Sequence, residues 1–153
     1  MKKYAYWSLF LLLVACRNSS PSSSNVPSES GQINAVQPGQ LPAGFMDFYD
    51  KFHTDSLFQV AHIAWPLQGE TTEQVDSTRA RRKLVQWEPA KWRMHRKVDF
   101  STGEFKQEWE MMGSDLVIEF ISYRAANFGL ERRFVKREDG DWELIYYADM
   151  QER

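Results

Sequence analysis

The chain predicts an α+β domain in which helices pack on one face of a curved antiparallel sheet. Three observations predict it. Phe45, Phe48, Tyr49 and Phe52 recur at spacings of three and four, the period of a helix with one apolar face. Four strand-like runs follow at 105–112, 115–124, 128–137 and 141–150. Short turn sequences join them: Met112-Gly113-Ser114-Asp115, Ala125-Ala126-Asn127 and Glu138-Asp139-Gly140-Asp141.

The first element in chain order is not part of that domain. Lys2 and Lys3 precede an apolar run, 4–14, that is too short to span a bilayer as a helix. Leu13-Val14-Ala15-Cys16 then resembles the lipobox of a bacterial lipoprotein precursor. The resemblance implies that residues 1–15 are a signal peptide and that Cys16 becomes the lipidated N-terminus. At about 0.8 kcal/mol per buried CH₂, several acyl chains anchor a protein durably where one does not. Arg17 stands where an aspartate retains enterobacterial lipoproteins at the inner membrane, so the outer membrane of a Gram-negative cell is expected. The segment Arg17-Asn18-Ser19-Ser20-Pro21 lacks the acidic cluster of surface-exported lipoproteins, which favours the periplasmic side.

Loss of the signal would leave 17 basic and 21 acidic residues, a net charge near −4. That argues against broad nucleic-acid binding, which needs a basic excess. Cys16 is the sole cysteine, so no disulfide can staple the fold. The core must suffice, and 18 of the 22 aromatic residues lie beyond residue 42.

Residues 16–42 read as the lipidated cysteine and a flexible tether. Half of the 26 residues from Arg17 to Pro42 are Ser, Pro or Gly, too polar a mixture to offset ordering entropy. Such a coil reaches on the order of 25–30 Å. The domain is expected over 43–153. After the aromatic helix, Asp55 reads as the N-cap of a second short helix through Leu57, Phe58 and Val60. Residues 63–67 suggest a brief strand ended by Pro66. Residues 68–82 are almost wholly polar and suggest a long loop, a lid candidate. Residues 84–87 suggest another strand, and Pro89 opens a helical turn.

In the C-terminal half, Phe105, Gln107, Trp109 and Met111 alternate with Lys106, Glu108 and Glu110. Phe128, Leu130 and Phe134 mark one face of the third run, opposed by Glu131 and Arg133. In the last run Trp142, Leu144 and Tyr146 are expected on one face, Ile145 and Tyr147 on the other. Apolar residues on both faces predict a central strand.

The run from Phe45 to Leu67, with its Asp55-Ser56-Leu57-Phe58-Gln59 and Pro66-Leu67 core, resembles a family of Bacteroidetes lipoproteins known only as a domain of unknown function (DUF4348). Trp87, Trp92 and Gly140-Asp141-Trp142 extend the likeness over most of 45–150. The resemblance implies an NTF2-like (cystatin-like) cone, with helices packed into the concave face of a bent sheet. An arginine commonly stands in that family where this chain has His62, which weakens any role built on a cation there. The family brings no established activity.

NTF2-like cones often enclose a pocket, and some perform isomerase or dehydratase chemistry with a general base facing an apolar cavity and a donor across from it. Candidate lining residues here are Asp50, His53, Asp55, His62, Trp65, Trp109 and Tyr123. Each has a plainer reading. Asp55 fits an N-cap, the tryptophans fit a core without disulfides, and Tyr123 fits the sheet rim. His53 and His62 lack metal-ligand spacing, and no metal or other cofactor is expected. Arg79-Ala80-Arg81-Arg82-Lys83 reads as a solvated basic loop before an anionic head-group or glycan site. There is no Gly-rich phosphate loop, no GxSxG and no cysteine left for nucleophilic work.

The leading expectation is therefore a non-catalytic envelope lipoprotein that binds a small molecule or an envelope protein. The alternative is a pocket enzyme of isomerase, dehydratase or hydrolase type using Asp50, Asp55 or His62. The two separate on whether those side chains converge in an enclosed pocket. An assembly subunit would instead expose an apolar patch on the outer face of the sheet.

Overall fold

A computed structural model describes residues 32–126 and 128–151. Cys16, the 1–15 segment and most of the expected tether lie outside the described residues. The elements run β1 (Ile33–Val36), α1 (Phe45–Thr54), α2 (Ser56–Ala61), β2 (Ile63–Gln74), β3 (Ala80–Trp87), β4 (Phe105–Met112), β5 (Leu116–Tyr123), β6 (Phe128–Lys136) and β7 (Trp142–Gln151). They form one sheet in the order β1-β4-β5-β6-β7-β2-β3. Every pairing is antiparallel except that of β2 with β7.

α1 forms because its aromatic stripe has a concave face to fill. Phe45, Tyr49 and Phe52 are fully buried. Their rings meet the sheet edge-on: Phe45 to Trp142 at 4.9 Å between centroids, and Phe52 to Phe134 at 5.5 Å. Burying each ring contributes roughly 2–3 kcal/mol. Asp55 ends α1 and starts α2, its Oδ1 accepting from the amides of Leu57 (2.9 Å) and Phe58 (3.0 Å). The two α-helices on a bent sheet and the four C-terminal strands are those the sequence predicts.

Three expectations need correction. The tether reading of 16–42 extends too far, because β1 adds to the edge of β4 and Val36 and Leu41 pack on the core. These are two of the few apolar side chains in that stretch, and they suffice to hold an edge strand. The 68–82 loop is instead the arms of a β2–β3 hairpin, paired from Leu67↔Trp87 to Gln74↔Ala80. The hairpin projects past the core, so apolar alternation is not required of it. Ion pairs hold it instead: Glu73 with Arg81 (2.7 Å) and Lys83 (3.1 Å), and Glu70 with Arg82 (3.3 Å). Its turn is closed by Asp76, whose Oδ1 accepts from the amides of Thr78 and Arg79, both at 2.9 Å.

The third correction concerns β7. Arg133 pairs with Tyr146 but Phe134 pairs with Leu144, so Ile145 is a bulge residue. The extra residue inverts the alternation beyond it. Tyr147 joins Trp142 and Leu144 on the core face, and Tyr146 turns to the other. On β6 the expected faces hold, and the residue between Leu130 and Phe134 on the inward face is Arg132, which is 1% exposed.

The outer face of the sheet is not an open apolar patch. Ile118, Phe120 and Ala148 are buried there, packed by Leu116 and Tyr146. The Arg133 guanidinium lies 4.2 Å from the Tyr146 ring centroid and pairs with Glu131 at 2.6 Å, forming part of a polar cover.

Candidate functional site

Inside the cone, four elements bring polar side chains together. Tyr49 and His53 lie one turn apart on α1, and Gln107 faces them from β4. Glu119 and Arg132 are direct cross-strand partners of β5 and β6. Glu119 is fully buried, and its Oε1 accepts from Tyr49 Oη and from Gln107 Nε2, each at 2.6 Å. Arg132 Nε lies 2.8 Å from Glu119 Oε2 but is not aligned as a hydrogen bond, so this contact is chiefly Coulombic. Arg132 Nη1 donates to His53 Nε2.

That last contact fixes the histidine. A guanidinium only donates, so Nε2 of His53 is the acceptor and its proton sits on Nδ1. Nδ1 then donates to the Tyr49 carbonyl at 2.8 Å. Burial, reinforced by the Arg132 charge, pushes His53 down to about 3. Burial and the Glu119 charge push the Tyr49 phenol well above its ordinary range, keeping it a donor. The network is thus charge-paired and its histidine lone pair is occupied.

One arginine nitrogen is left over. Arg132 Nη2 is buried and has no hydrogen-bond partner among the described residues. Arg132 lines a cavity of about 260 Å³ between β6, β7 and the irregular segment 92–104. Its apolar walls are Met94, Val98, Leu130 and the Tyr147 ring; His95 and Arg96 supply the other polar surface. His95 Nδ1 is a second buried atom without a partner. Its ring sits between those of Trp92 (4.4 Å) and Tyr147 (4.5 Å). Burial, then the charge of Arg132, lowers His95 to about 3. Both atoms are closed off from solvent, behind the surface that their residues present to the cavity.

Gln59 positions this wall. The fully buried carboxamide donates to the carbonyls of Phe52 (2.7 Å) and His95 (2.9 Å). It also accepts from Trp92 Nε1 (3.0 Å) and the His95 amide (2.9 Å). A single side chain on α2 thereby holds segment 92–95 over the open end of the core.

None of the seven sequence candidates lines this cavity. His53 enters the network behind it, and Trp109 packs on Tyr49 at 5.3 Å. Asp50 is exposed and paired with Lys97 at 2.6 Å. Asp55 is spent on its cap. His62 stacks on Phe58 at 3.8 Å, with Nδ1 at 2.8 Å from the Phe58 carbonyl. Trp65 packs against Trp92 and donates to the Val60 carbonyl at 3.0 Å. Tyr123 stacks on Phe105 at 5.2 Å, on a separate rim groove. The Asp50, Asp55 and His62 trio does not converge.

The missed residues carried a signal in their register. Glu119 falls between inward Val117 and Ile121, and Arg132 between Leu130 and Phe134, so strand parity alone places both charges inside. A larger concavity of about 650 Å³ lies beside the hairpin tip. Its Arg79 and Arg81 are already paired with Asp76 and Glu73. Among the described residues no group of three or more His, Cys, Asp or Glu could hold a metal ion.

No family model and no curated protein matches the chain. Solved structures do. An NTF2-like protein from Bacteroides fragilis is similar over 70% of this chain at 20% identity, with a TM-score of 0.50. The chain spans about half of that protein's length (46%). A cystatin-like protein from Bacteroides caccae is similar over 71% of this chain and 79% of its own, at 18% identity and a TM-score of 0.52. At such identities the likeness concerns the fold. The chain has the NTF2-like, cystatin-like α+β fold, a cone of two helices on a curved sheet.

Proposed function

We propose that this protein is a cell-envelope lipoprotein of the DUF4348 type whose cone is a non-catalytic receptor for a small molecule. Anchoring through Cys16 to the outer membrane, facing the periplasm, follows from the Leu13-Val14-Ala15-Cys16 lipobox and from Arg17. The two similar structures from Bacteroides fit the same group of bacteria.

The observation that carries the binding reading is the cavity of about 260 Å³ whose largely apolar wall also carries His95, Arg96 and Arg132. A binding role is favoured over catalysis by the state of the bases. Asp50, Asp55 and His62 are dispersed, and the lone pair of His53 is taken by Arg132. Proton abstraction requires a free base within reach of a bound substrate.

A melting screen of the full chain in detergent against envelope metabolites tests this reading. A bound ligand raises the midpoint with the logarithm of its concentration above Kd and is recovered chemically unchanged. Turnover of any stabilising compound would favour the enzyme alternative. Mass measurement of the protein from its native host tests the anchor: diacylglycerol on Cys16 is expected, and retention of residues 1–15 would refute it.

A further inference from the structure

We propose that β3 is an assembly edge, along which two copies of this chain pair antiparallel about a two-fold axis centred on Leu84. β3 ends the sheet, and among the described residues no strand pairs on its far side. The hairpin register fixes which backbone groups that side presents. Val75 N–H donates to the Arg79 carbonyl at 2.9 Å, so these two residues are a hydrogen-bonded pair. Every second pair down the hairpin is then bonded likewise, and the residues between them point their amides and carbonyls away from the partner strand. Leu84, opposite Glu70, and Gln86, opposite Gln68, are two of these. The Thr72 amide agrees with that parity, since it turns away from β3 and donates to Asp149 Oδ1 on β7 at 3.2 Å. The Leu84 side chain is 80% exposed, so the same edge carries a large apolar group in water.

Cations on an edge strand ordinarily keep other strands away. On this one they are matched within the hairpin: Arg79 by Asp76, Arg81 and Lys83 by Glu73, and Arg82 by Glu70. An acidic strand would have to displace those partners, whereas a second copy need not. Register selects the axis. Pairing centred on Arg82 or on Lys83 would set like charges directly opposite, which is destabilising. Centred on Leu84, that residue meets its own copy, and Lys83 falls across from Val85, Arg82 from Gln86 and Arg81 from Trp87. No cation then faces another, and Leu84 exchanges both backbone bonds with its copy. One step further, at Val85, Leu84 would face Gln86 and lose its apolar partner. The two-fold uses up both β3 edges, so the assembly closes as a dimer.

Sedimentation equilibrium of the full chain, in density-matched detergent with micelles in excess, measures the assembly. The mass should double as protein concentration rises through the micromolar range. Leu84→Pro deletes an amide that β2 does not use, a place where an edge strand tolerates proline, and should leave a folded monomer. Leu84→Lys keeps that amide at an exposed position and puts like charges on the axis, so it should weaken the dimer at least about tenfold. Gln86→Glu, across from Arg82, should tighten it about tenfold through two symmetric pairs. In hydrogen exchange the Leu84 amide should slow as the dimer forms, while the Val85 amide, which points at β2, should not change.

A monomer at every concentration overturns the proposal, including one whose Leu84 amide is already protected by residues 17–31 of its own chain. A dimer that survives both Leu84 variants is joined elsewhere and overturns it equally. Unchanged affinity in Gln86→Glu refutes the Leu84-centred register and the proposal with it.

Discussion

Gln59 and His95 are joined like paired strands: the glutamine Nε2 donates to the His95 carbonyl and its Oε1 accepts from the His95 amide, both at 2.9 Å. Such two-point pairing lets one buried side chain stand in for a missing β partner. It explains how segment 92–104, with no regular structure of its own, keeps a fixed wall on the cavity.

Replacing Gln59 by methionine preserves volume but strands the Trp92 indole N–H and both backbone groups of His95. Buried polar groups left unpaired cost about 1–3 kcal/mol each, so a loss of roughly 3 kcal/mol is expected. Urea unfolding of the full chain measures it. Ligand affinity should fall more than stability alone explains, because His95 leaves its place. A variant as stable as the parent would show that the segment is held by something else.

Glu119 and Arg132 oppose each other across β5 and β6 with both charges out of water. Arg132→Met leaves the Glu119 carboxylate buried without its cation and should destabilise by about 3–5 kcal/mol. Glu119→Gln added to it removes that stranded charge and keeps an acceptor for Tyr49. The double variant should therefore be more stable than Arg132→Met alone. Strict additivity in a double-mutant cycle of unfolding free energies would contradict direct coupling.

His53 and His95 set the acid limit of the fold. Both are held neutral, lowered from 6.5 to about 3 by burial and by Arg132. The unfolded chain binds these protons near pH 6.5 while the folded one refuses them until about pH 3. The unfolded state then holds more protons throughout that window, so stability is full above it and falls as pH drops through it. The slope is about 1.4 kcal/mol per pH unit for each histidine. Denaturant midpoints from about pH 7 down to about pH 4 should show it, and His53→Asn should remove roughly half of the slope. A pH-independent midpoint would mean that the histidines are not excluded from water.

What the sequence disclosed and what it hid divide along a physical line. α1 and β4 to β6 were legible because each buries one side of a periodic pattern, β7 because it is a dense apolar run between turns, and the Asp55 cap because capping is local chemistry. The β2–β3 hairpin was not, since Glu70, Glu73 and Arg81 make it polar on its projecting arms. The bulge at Ile145 was also hidden, because one extra residue leaves composition unchanged while inverting every later side chain. The site escaped for a different reason. Arg132, Glu119 and Gln59 are residue types that ordinarily face water, and their burial depends on distant partners that no motif marks: Glu119 for Arg132 (13 positions), His95 for Gln59 (36) and Tyr49 for Glu119 (70). Strand parity was the one available clue.

Gly69 offers the sharpest test of how tightly the cavity wall is packed. It pairs with Tyr147 where β2 runs parallel to β7. A Cβ at position 69 would stand 1.8 Å from the Tyr147 carbonyl oxygen and 2.9 Å from Trp87 Nε1. The nearer obstacle is backbone, so a rotamer change cannot relieve it, and the strands must separate. Gly69→Ala should cost about 3 kcal/mol, the upper range for overpacking. Gly129→Ala is the useful comparison, because its Cβ would meet the Ile121 carbonyl at 2.9 Å and should be tolerated better. Equal unfolding midpoints for the two alanine variants would mean that β2 and β7 are not in the close register that shapes the Tyr147 wall.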